Sequence, residues 1–346
     1  MPEKLKVVEE GKAKIKVSDE SKISKKLPVF YNPVMKLNRD LSILLLNSIP
    51  ENNLNIALPL AGSGVRGLRF LLELKKSKMK TLYFNDYKED FYQILKNNFS
   101  LNKLPDKEII ISNDDANLFL LEGFGFDYID IDPFGTPNPF LDSAVKRISR
   151  NGILAVTATD TSALAGTYPD ACMRKYWAAP LRNELKHEIG IRILTRKIQL
   201  VAAQYDKALV PIFSYSKDHY FRVFFRCQKS KSDVDEALKE HGLLGIAGPL
   251  WLGSLWDEKL VSKMYKFASG DLKLFLNIIL EESKIDTCGF YDIHQLCKKN
   301  KLQIPRYDLL MKKIKDEGFK VSRTHFSTLG LKSDIEEGKL LNILKN

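Results

Sequence analysis

The sequence has few cysteines and no long apolar run. Four cysteines in 346 residues are too few for a disulfide-stapled secreted protein, and no two of them form a CxxC pair. No stretch of about eighteen apolar residues occurs, which excludes a typical membrane-spanning helix. The charged N-terminus lacks the apolar segment of a secretory signal. We therefore expect a cytoplasmic protein with no membrane partner.

Positive charge, by contrast, is in excess. Lys and Arg number 54 against 43 Asp and Glu, which gives a formal net charge of +11. This balance favours an anionic macromolecular partner over a small neutral substrate, although many basic proteins bind no nucleic acid. Hydrophobic residues make up 44% of the chain, enough for a sizeable core. The composition thus indicates a folded protein for which a nucleic acid is one candidate partner.

Strand-like and helix-like segments alternate through the middle of the chain. Short apolar runs predict parallel strands flanked by helices, and they cover residues 56–60, 81–84, 109–111, 128–131 and 153–157. A long helix is expected over 180–204, interrupted near Gly190, and then a hairpin of strands 209–215 and 219–227. A hairpin is antiparallel, so the parallel sheet ends with one antiparallel strand. This pattern is typical of the common methyltransferase sheet and unlike a plain NAD-binding sheet.

Changes in composition divide the chain into three parts. Residues 1–50, with a lysine- and serine-rich stretch at 21–26, are an N-terminal extension and flap that packs on the next domain. We expect residues 51–228, which carry these strands and helices, to form the catalytic domain. A polar stretch at 229–240 is the predicted linker into a smaller, mostly helical domain over 229–346. In that last domain, short helices followed by a small hairpin resemble a winged-helix module.

A glycine-rich turn follows the first apolar run. Residues 62–67 read G-S-G-V-R-G, and Gly62 and Gly64 allow a tight turn with close approach of the backbone to a ligand. Asp86 ends the next strand, about twenty residues on, where a carboxylate can accept hydrogen bonds from both hydroxyls of a ribose. In this register the pattern favours a nucleoside cofactor, NAD or S-adenosylmethionine, over a purely structural turn.

The end of the following strand carries Asp115 and Ala116. A carboxylate and a backbone N–H at this edge of a sheet can bind the edge of an adenine. The same carboxylate is also well placed to cap the helix that begins at Ala116. The two interpretations have equal support from the sequence, because one residue can cap while its neighbour binds.

The motif that favours S-adenosylmethionine over NAD is D-P-F, after the strand at 128–131. The exocyclic amine of a base is a poor nucleophile, since its lone pair is conjugated into the ring. The Asp132 carboxylate and the Pro133 carbonyl can accept its N–H bonds, which orients the lone pair and disperses the developing charge. Asp132 can also take the proton, and Phe134 offers a stacking face worth about 1–3 kcal/mol. A structural strand-end turn is the alternative; a dehydrogenase has no need of this motif.

Several blocks, in order along the chain, resemble the archaeal form of the tRNA guanine-26 dimethyltransferase family. They lie at 28–33, 37–40, 64–67, 113–116, 130–135, 156–161, 182–188, 217–220 and 323–326. The resemblance implies an α/β fold with a class I methyltransferase, Rossmann-like sheet. It also implies transfer of methyl groups from S-adenosylmethionine to the 2-amino group of guanine 26 of tRNA, giving N2-methyl- and N2,N2-dimethylguanosine.

The same resemblance implies roles for individual residues. Contacts to S-adenosylmethionine fall on Arg39, Arg66, Asp86, Asp115 and Ala116. Asp132 becomes the catalytic residue, and Phe30 and Phe134 enclose the guanine between their rings. From its chemistry, Arg39 can pair with the cofactor carboxylate through two hydrogen bonds, and an ion pair with Asp40 on the helix surface is the alternative. Packing of an N-terminal flap is the alternative for Phe30.

The chain departs from the family at two points. Many relatives carry an acidic residue just before the glycine loop, whereas residues 57–61 here contain none, so the cofactor ammonium needs carbonyls or another acid. Some relatives hold zinc with four cysteines between the domains; here that region offers only Cys227 and His241, and we expect no metal. The loose group of Cys288, His294 and Cys297 is better explained as buried small residues.

Basic residues after the catalytic strands are the expected contacts to tRNA. The guanine must leave its stack to react, at a cost of a few kcal/mol that basic surface has to offset. The candidates are Arg174, Lys175, Arg182, Lys186, Arg192 and Arg196, and some of them share a helix face at a spacing of four. For any single one, a solvated helix face is the alternative. Arg222 and Arg226 share one face of the last strand.

Three other functions stay open at this level. An amine-directed methyltransferase acting on DNA or protein could use the same D-P-F motif. A non-catalytic RNA-binding protein with a decayed cofactor site would explain the missing acid before the glycine loop. An NAD-dependent dehydrogenase is the most distant alternative. No protein partner is implied by the sequence, and the choice between one and two methyl groups is left open.

Overall fold

The computed structural model describes residues 5–19, 27 and 29–345. The predicted lysine- and serine-rich stretch at 21–26, and Pro28 of the first family block, lie outside these residues. The chain divides into two compact units. The first comprises Met1–Thr159, Val201–Val210 and Phe224–Val234, and the second comprises Asp160–Leu200, Pro211–Val223 and Asp235–Asn346.

The first unit begins with an antiparallel hairpin, β1 (Leu5–Glu10) and β2 (Ala13–Ser18). The alternating segment 13–17 predicts an edge strand, and β2 confirms it. The inward side chains of β2 are buried in an apolar cluster formed by Ala13, Ile15, Val17, Val29, Val65, Leu68 and Ile94. The hairpin is therefore held against helices of the same unit by hydrophobic contacts.

The largest sheet has seven strands in the order β5-β4-β3-β6-β7-β9-β8. They are β3 (Leu54–Leu58), β4 (Met79–Asn85), β5 (Glu108–Ser112), β6 (Phe126–Ile131), β7 (Ile148–Ala158), β8 (Lys207–Lys217) and β9 (Tyr220–Lys229). The first five pair in parallel, as their apolar runs predict. Strands β8 and β9 follow each other across a short turn. β9, the last of these seven in chain order, lies between β7 and β8, so β8 forms one edge of the sheet and β5 the other.

Helices of the first unit follow the strands in alternation. They are α1 (Lys36–Ser48), α2 (Val65–Glu73), α3 (Phe91–Ser100), α4 (Ala116–Glu122) and α5 (Asn138–Arg147). Gly64 precedes α2 in the left-handed conformation, with φ of 77°, which glycine adopts without a steric penalty. Side chains such as Leu82, Phe84 and Tyr128 are fully buried between sheet and helices. The alternation predicted by the sequence is thus the architecture of this unit.

The second unit is mostly helical. Its elements, with those of the connecting segments, are α6 (Thr161–Leu164), α7 (Pro169–Tyr176), α8 (Lys186–Ala203), α9 (Lys231–Lys239), β10 (His241–Leu244), β11 (Ala247–Trp251), α10 (Glu258–Phe267), α11 (Gly270–Glu282), β12 (Tyr291–Asp292), α12 (Ile293–Lys299), α13 (Tyr307–Asp316), β13 (Val321–Arg323), β14 (Gly330–Ser333) and α14 (Glu337–Lys345). Strands β12, β14 and β13 form a three-stranded sheet in that order. Short helices followed by a small hairpin are present as predicted.

Three sequence-based boundaries differ from the structure. The helix predicted over 180–204 begins at Lys186, and Gly190 does not interrupt it; a Cβ there would lie 2.9 Å from the Phe221 ring, so glycine permits close packing. The predicted linker at 229–240 contains helix α9. Residues 160–200, assigned to the catalytic domain by sequence, belong to the second compact unit. Among the described residues, no helix is both long and apolar enough to cross a membrane.

Candidate cofactor and substrate site

A cavity of about 360 Å³ lies in the first unit at the carboxyl ends of β3, β4 and β6. This is the edge of an open parallel sheet where ligands bind. Most of the residues predicted for the site line it, namely Phe30, Arg39, Gly62, Arg66, Asp86, Asp132, Pro133 and Phe134. The other three predicted residues, Gly64, Asp115 and Ala116, are not among its lining residues.

The glycine turn is held by Asp86. The backbone N–H of Gly62 donates to Asp86 Oδ2 at 2.8 Å, and the N–H of Lys88 donates to Oδ1 at 3.2 Å. A Cβ on Gly62 would meet no atom within 4 Å, whereas one on Gly64 would collide with Leu95. Gly62 therefore leaves open space for a ligand, and Gly64 is favoured by its left-handed backbone, with the Leu95 side chain close by. Each oxygen of Asp86 has a further lone pair with which to accept a ribose hydroxyl.

Sequence reasoning missed Tyr87, which lines the cavity directly after Asp86 and is 73% exposed. Exposed aromatic rings beside a ligand cavity offer a stacking face for a base. The signal in the sequence was its position, since Tyr87 is the residue next to the predicted ribose ligand.

Asp115 caps helix α4. Its Oδ1 accepts hydrogen bonds from the N–H groups of Asn117 and Leu118 at 2.9 and 3.3 Å. The capping interpretation is therefore confirmed by geometry. The side chain is exposed, and a contact of Asp115 or Ala116 to adenine stays a prediction.

Arg66 joins the glycine loop region to the D-P-F turn. Its guanidinium donates to Asp132 Oδ2 and to Ser42 Oγ, and it lies 3.5 Å from Asp130 Oδ2. The Tyr128 hydroxyl donates to the same Asp130 oxygen at 2.6 Å. Arg66, for which the family resemblance implies a cofactor contact, thus fixes the orientation of the predicted catalytic carboxylate.

The D-P-F turn is fixed from its other side by Thr159, the residue directly after β7. The N–H of Gly135 donates to Thr159 Oγ1 at 2.6 Å, and the N–H of Thr159 donates to the Gly135 carbonyl at 2.9 Å. The rings of Phe30 and Phe134 meet edge to face, with their centroids 4.5 Å apart. The two predicted rings are therefore neighbours. A base stacked between them requires parallel rings at a wider separation, so one ring has to move before a base enters.

Arg39 is held by a residue that the sequence did not single out. Its Nε and Nη2 donate to the two carboxylate oxygens of Glu10 at 2.6 and 2.5 Å, and Nη2 also donates to the Asn32 carbonyl. Asp40, the alternative partner of Arg39, instead pairs with Arg69 at 2.6 Å. Glu10 ends β1, and only the fold brings it to α1; the sequence shows merely an alternating strand there.

Glu10 is almost completely buried, so it depends on these partners. Burial alone would raise its pKa, but hydrogen bonds and positive charge from Arg39, the Tyr31 hydroxyl and Arg69 outweigh burial and lower the pKa to about 2. Arg69 donates to Glu10 Oε1 at 2.9 Å and pairs with Glu73 as well. The N-terminal hairpin thereby supplies the anion that positions Arg39 at the cavity.

The predicted tRNA-binding residues fall into two groups. Arg174, Lys175 and Arg182 are exposed, Lys186 is half-buried, and Arg196 donates to the Trp177 carbonyl at 3.4 Å. Arg192 is 1% exposed, and its guanidinium pairs with Glu188 and with carbonyls. The prediction that Arg192 contacts tRNA is therefore wrong. The spacing of Glu188 four residues earlier was the signal for a pair within the helix. Arg222, also proposed for the basic surface, is fully buried.

Arg192 is part of a buried charged cluster in the second unit. Glu188 also accepts from the Gly289 N–H and from Lys332. Burial would raise the pKa of Glu188, but Lys332 and Arg192 lower it to about 2. Arg192 is thus a stabilising residue.

We expect Arg192→Leu to lower the free energy of unfolding by about 3–5 kcal/mol. The buried Glu188 carboxylate keeps its contact with Lys332 but loses the charge and hydrogen bonds of Arg192. Urea unfolding measures this effect. Arg174→Leu, at an exposed position, is the matched control and should change stability by about 0.5 kcal/mol or less. A stable Arg192→Leu protein with weakened tRNA binding would restore the original prediction.

The fold and this cavity define the chain as a class I methyltransferase that uses S-adenosylmethionine. The solved structure of Trm1 from Pyrococcus horikoshii with S-adenosyl-L-methionine superposes with a TM-score of 0.89 at 37% identity, covering 99% of this chain and all of that one. The family model for N2,N2-dimethylguanosine tRNA methyltransferase matches residues 11–246 and 241–345. The chain belongs to this family.

Curated relatives agree over nearly the full length. The tRNA (guanine(26)-N(2)/guanine(27)-N(2))-dimethyltransferase of Aquifex aeolicus is 41% identical, over 96% of this chain and 93% of that protein. The tRNA (guanine(26)-N(2))-dimethyltransferase of Methanobrevibacter smithii is 40% identical, over 99% and 97%. The predicted family, fold class, enzyme class and cofactor are therefore confirmed, and the dehydrogenase alternative is set aside.

Proposed function

We propose that this chain methylates the 2-amino group of guanine 26 of tRNA, once and then a second time. The observation that carries this proposal is the position of Asp132, Pro133 and Phe134 in the same cavity as the glycine turn and Asp86. A cofactor on that turn and a base on Phe134 share one enclosed space. A tRNA substrate also supports a cytoplasmic location, and the predicted domains 51–228 and 229–346 remain our proposal for catalysis and tRNA binding.

The cavity fits the polar groups of S-adenosylmethionine. Asp86 accepts the ribose hydroxyls, and Tyr87 offers a face to the adenine, whose edge lies towards Asp115 and Ala116. Arg39, held by Glu10, binds the carboxylate of the methionine part. The ammonium lacks the usual acid before the glycine loop, and Asp130 takes that role, because it is a cavity-lining carboxylate that is 3% exposed. These assignments leave the methyl group free to face Asp132.

The chain's own groups prepare the amine for attack. S-adenosylmethionine supplies an electrophilic methyl group when bound. Arg66 holds Asp132 Oδ2. Asp132 Oδ1 accepts one N–H of the guanine amine, and the Pro133 carbonyl accepts the other. In the first transfer both contacts turn the nitrogen lone pair towards the methyl group, and in the second the one remaining N–H contacts Asp132; these hydrogen bonds disperse the positive charge that develops on nitrogen. Asp132 then takes the proton from the methylated nitrogen as a general base.

The two phenyl rings give the site its preference for a flat base. Phe134 is 55% exposed at the mouth of the cavity, and Phe30 covers it edge to face. Displacement of Phe30 by the entering guanine exchanges one aromatic contact for stacking on both faces of the base. Stacking of this kind contributes about 1–3 kcal/mol per base, which offsets part of the cost of removing guanine from its stack.

An incubation of the protein with labelled S-adenosylmethionine and each of three substrates tests this function. We expect label in an unmodified tRNA transcript and none in duplex DNA or in a protein mixture. Label in DNA or protein but not in tRNA would establish the amine-directed alternative. Binding of tRNA without any transfer would establish the non-catalytic alternative, against which the intact Asp86 and Asp132 argue.

A further inference from the structure

One exposed aromatic side chain of the second unit has no role in the cavity. Trp177 directly follows helix α7 and is 53% exposed. Its backbone is left-handed, with φ of 56° and ψ of 41°. This position at a helix end normally favours glycine, and a left-handed conformation costs other residues about 1–2 kcal/mol. Only the part of the ring that covers Lys197 contributes to folding, and the exposed part does not explain a tryptophan at such a position.

One face of the Trp177 ring is covered by a cation. Lys197 Nζ lies 2.9 Å from the ring centroid, and Arg196 donates to the Trp177 carbonyl at 3.4 Å. Burial, and then the neighbouring Arg196, lower the pKa of Lys197 to about 8, so its ammonium is still mostly protonated at neutral pH. The ring is half exposed while Lys197 lies against one face, so the exposed area lies away from Lys197. The Lys197 ammonium also attracts the phosphates of a nucleotide chain that passes the exposed part of the ring.

The surroundings of the ring are apolar and basic together. Met173 lies one helical turn earlier on the same face of α7 and is 51% exposed, and its carbonyl accepts from the Trp177 N–H at 3.0 Å. Tyr168, at the start of α7, is 62% exposed. Arg174 and Lys175 lie between Met173 and Trp177 on the same helix and are exposed. Aromatic faces interleaved with cations are the arrangement that binds unpaired nucleotides.

We infer that Trp177 is a stacking platform for an unpaired base of the tRNA substrate, outside the catalytic cavity. This inference rests on the proposed function, since it assumes that the substrate is tRNA. The alternative occupant, a second protein chain, would use the apolar side chains but has no need of the surrounding excess of cations. The stacked base would be held by the ring, and its phosphates by Arg174 and Arg196.

Tryptophan fluorescence tests the inference directly. The sequence has three tryptophans, and the other two, Trp251 and Trp256, are each 6% exposed, so Trp177 is the one that a base can reach. We expect tRNA to quench the fluorescence of the unaltered protein in a saturable titration. Trp177→Phe should abolish the quenching while tRNA affinity, measured by filter binding, stays within about threefold, because a phenyl ring still stacks.

Trp177→Ala should raise the Kd and the KM for tRNA about tenfold or more, because stacking on aromatic rings is lost. Phe124→Ala is the matched control: its ring is fully exposed, and its removal should leave tRNA affinity unchanged. Quenching that persists in Trp177→Phe, or equal affinities of Trp177→Ala and the unaltered protein, would overturn the inference. If the unaltered protein still methylates tRNA in either case, the proposed function stands and only the role assigned to Trp177 is overturned.

Discussion

Replacing Asp132 with asparagine should lower kcat for methyl transfer by about 10²–10⁴-fold, the usual contribution of a positioned general base. Asparagine keeps the size of the side chain, but its neutral amide has no anionic oxygen to accept the amine N–H and cannot take the proton. The variant should still bind S-adenosylmethionine, because the proposed ribose and carboxylate contacts lie on Asp86 and Arg39. Single-turnover transfer of labelled methyl to tRNA measures the chemical step separately from binding.

Two controls decide how an Asp132→Asn result is interpreted. Asp106→Asn makes the same change at an exposed loop residue and should leave kcat unchanged. Calorimetric titration with S-adenosylhomocysteine shows whether the altered cavity still takes the cofactor, since Arg66 loses one of its carboxylate partners. A variant that binds the cofactor and turns over within tenfold of the unaltered protein would remove Asp132 from its catalytic role.

The second large effect is expected at Glu10, far from the motifs in sequence. Glu10→Gln removes the negative charge that holds Arg39 through both of its carboxylate oxygens. A hydrogen bond to a charged group contributes about 1.5–3 kcal/mol, so loss of the oriented guanidinium should weaken S-adenosylhomocysteine binding about tenfold to a hundredfold. Isothermal titration measures that affinity.

The ligand 5′-methylthioadenosine separates positioning from general damage. It has the adenosine part of the cofactor but no carboxylate for Arg39 to bind. Glu10→Gln should therefore leave its affinity within about twofold of that of the unaltered protein. Equal losses for both ligands would mean that the variant has disturbed the whole cavity, and Glu10 would then have no specific part in positioning Arg39.

Much of the sheet was predictable because its strands are buried on both faces. The continuous apolar runs behind β3 to β7 are a local signal that does not depend on the rest of the chain. The glycine turn, Asp86 and the D-P-F turn follow three of those strands, and parallel strands bring their carboxyl ends to one edge. The sequence therefore predicted which side chains would meet in the cavity.

Features that depend on long-range contacts were missed or misjudged. Glu10 meets Arg39 only after the hairpin packs on the helices of its unit. Glu188, four residues before Arg192, signals a pair within the helix, but only the packing of α8 shows that both side chains are buried. Gly190 predicts a break in the helix, but the helix continues through it, and glycine is needed there because the Phe221 ring packs against its backbone.

The most direct test of the central claim is nucleoside mass spectrometry of an unmodified tRNA transcript after incubation with S-adenosylmethionine. A second transcript, in which adenine replaces guanine 26, is treated in parallel. The proposed function predicts N2-methyl- and then N2,N2-dimethylguanosine in the first transcript and neither in the second. Equal methylation of both transcripts, or a methyl group on any atom other than the guanine 2-amino nitrogen, would contradict it.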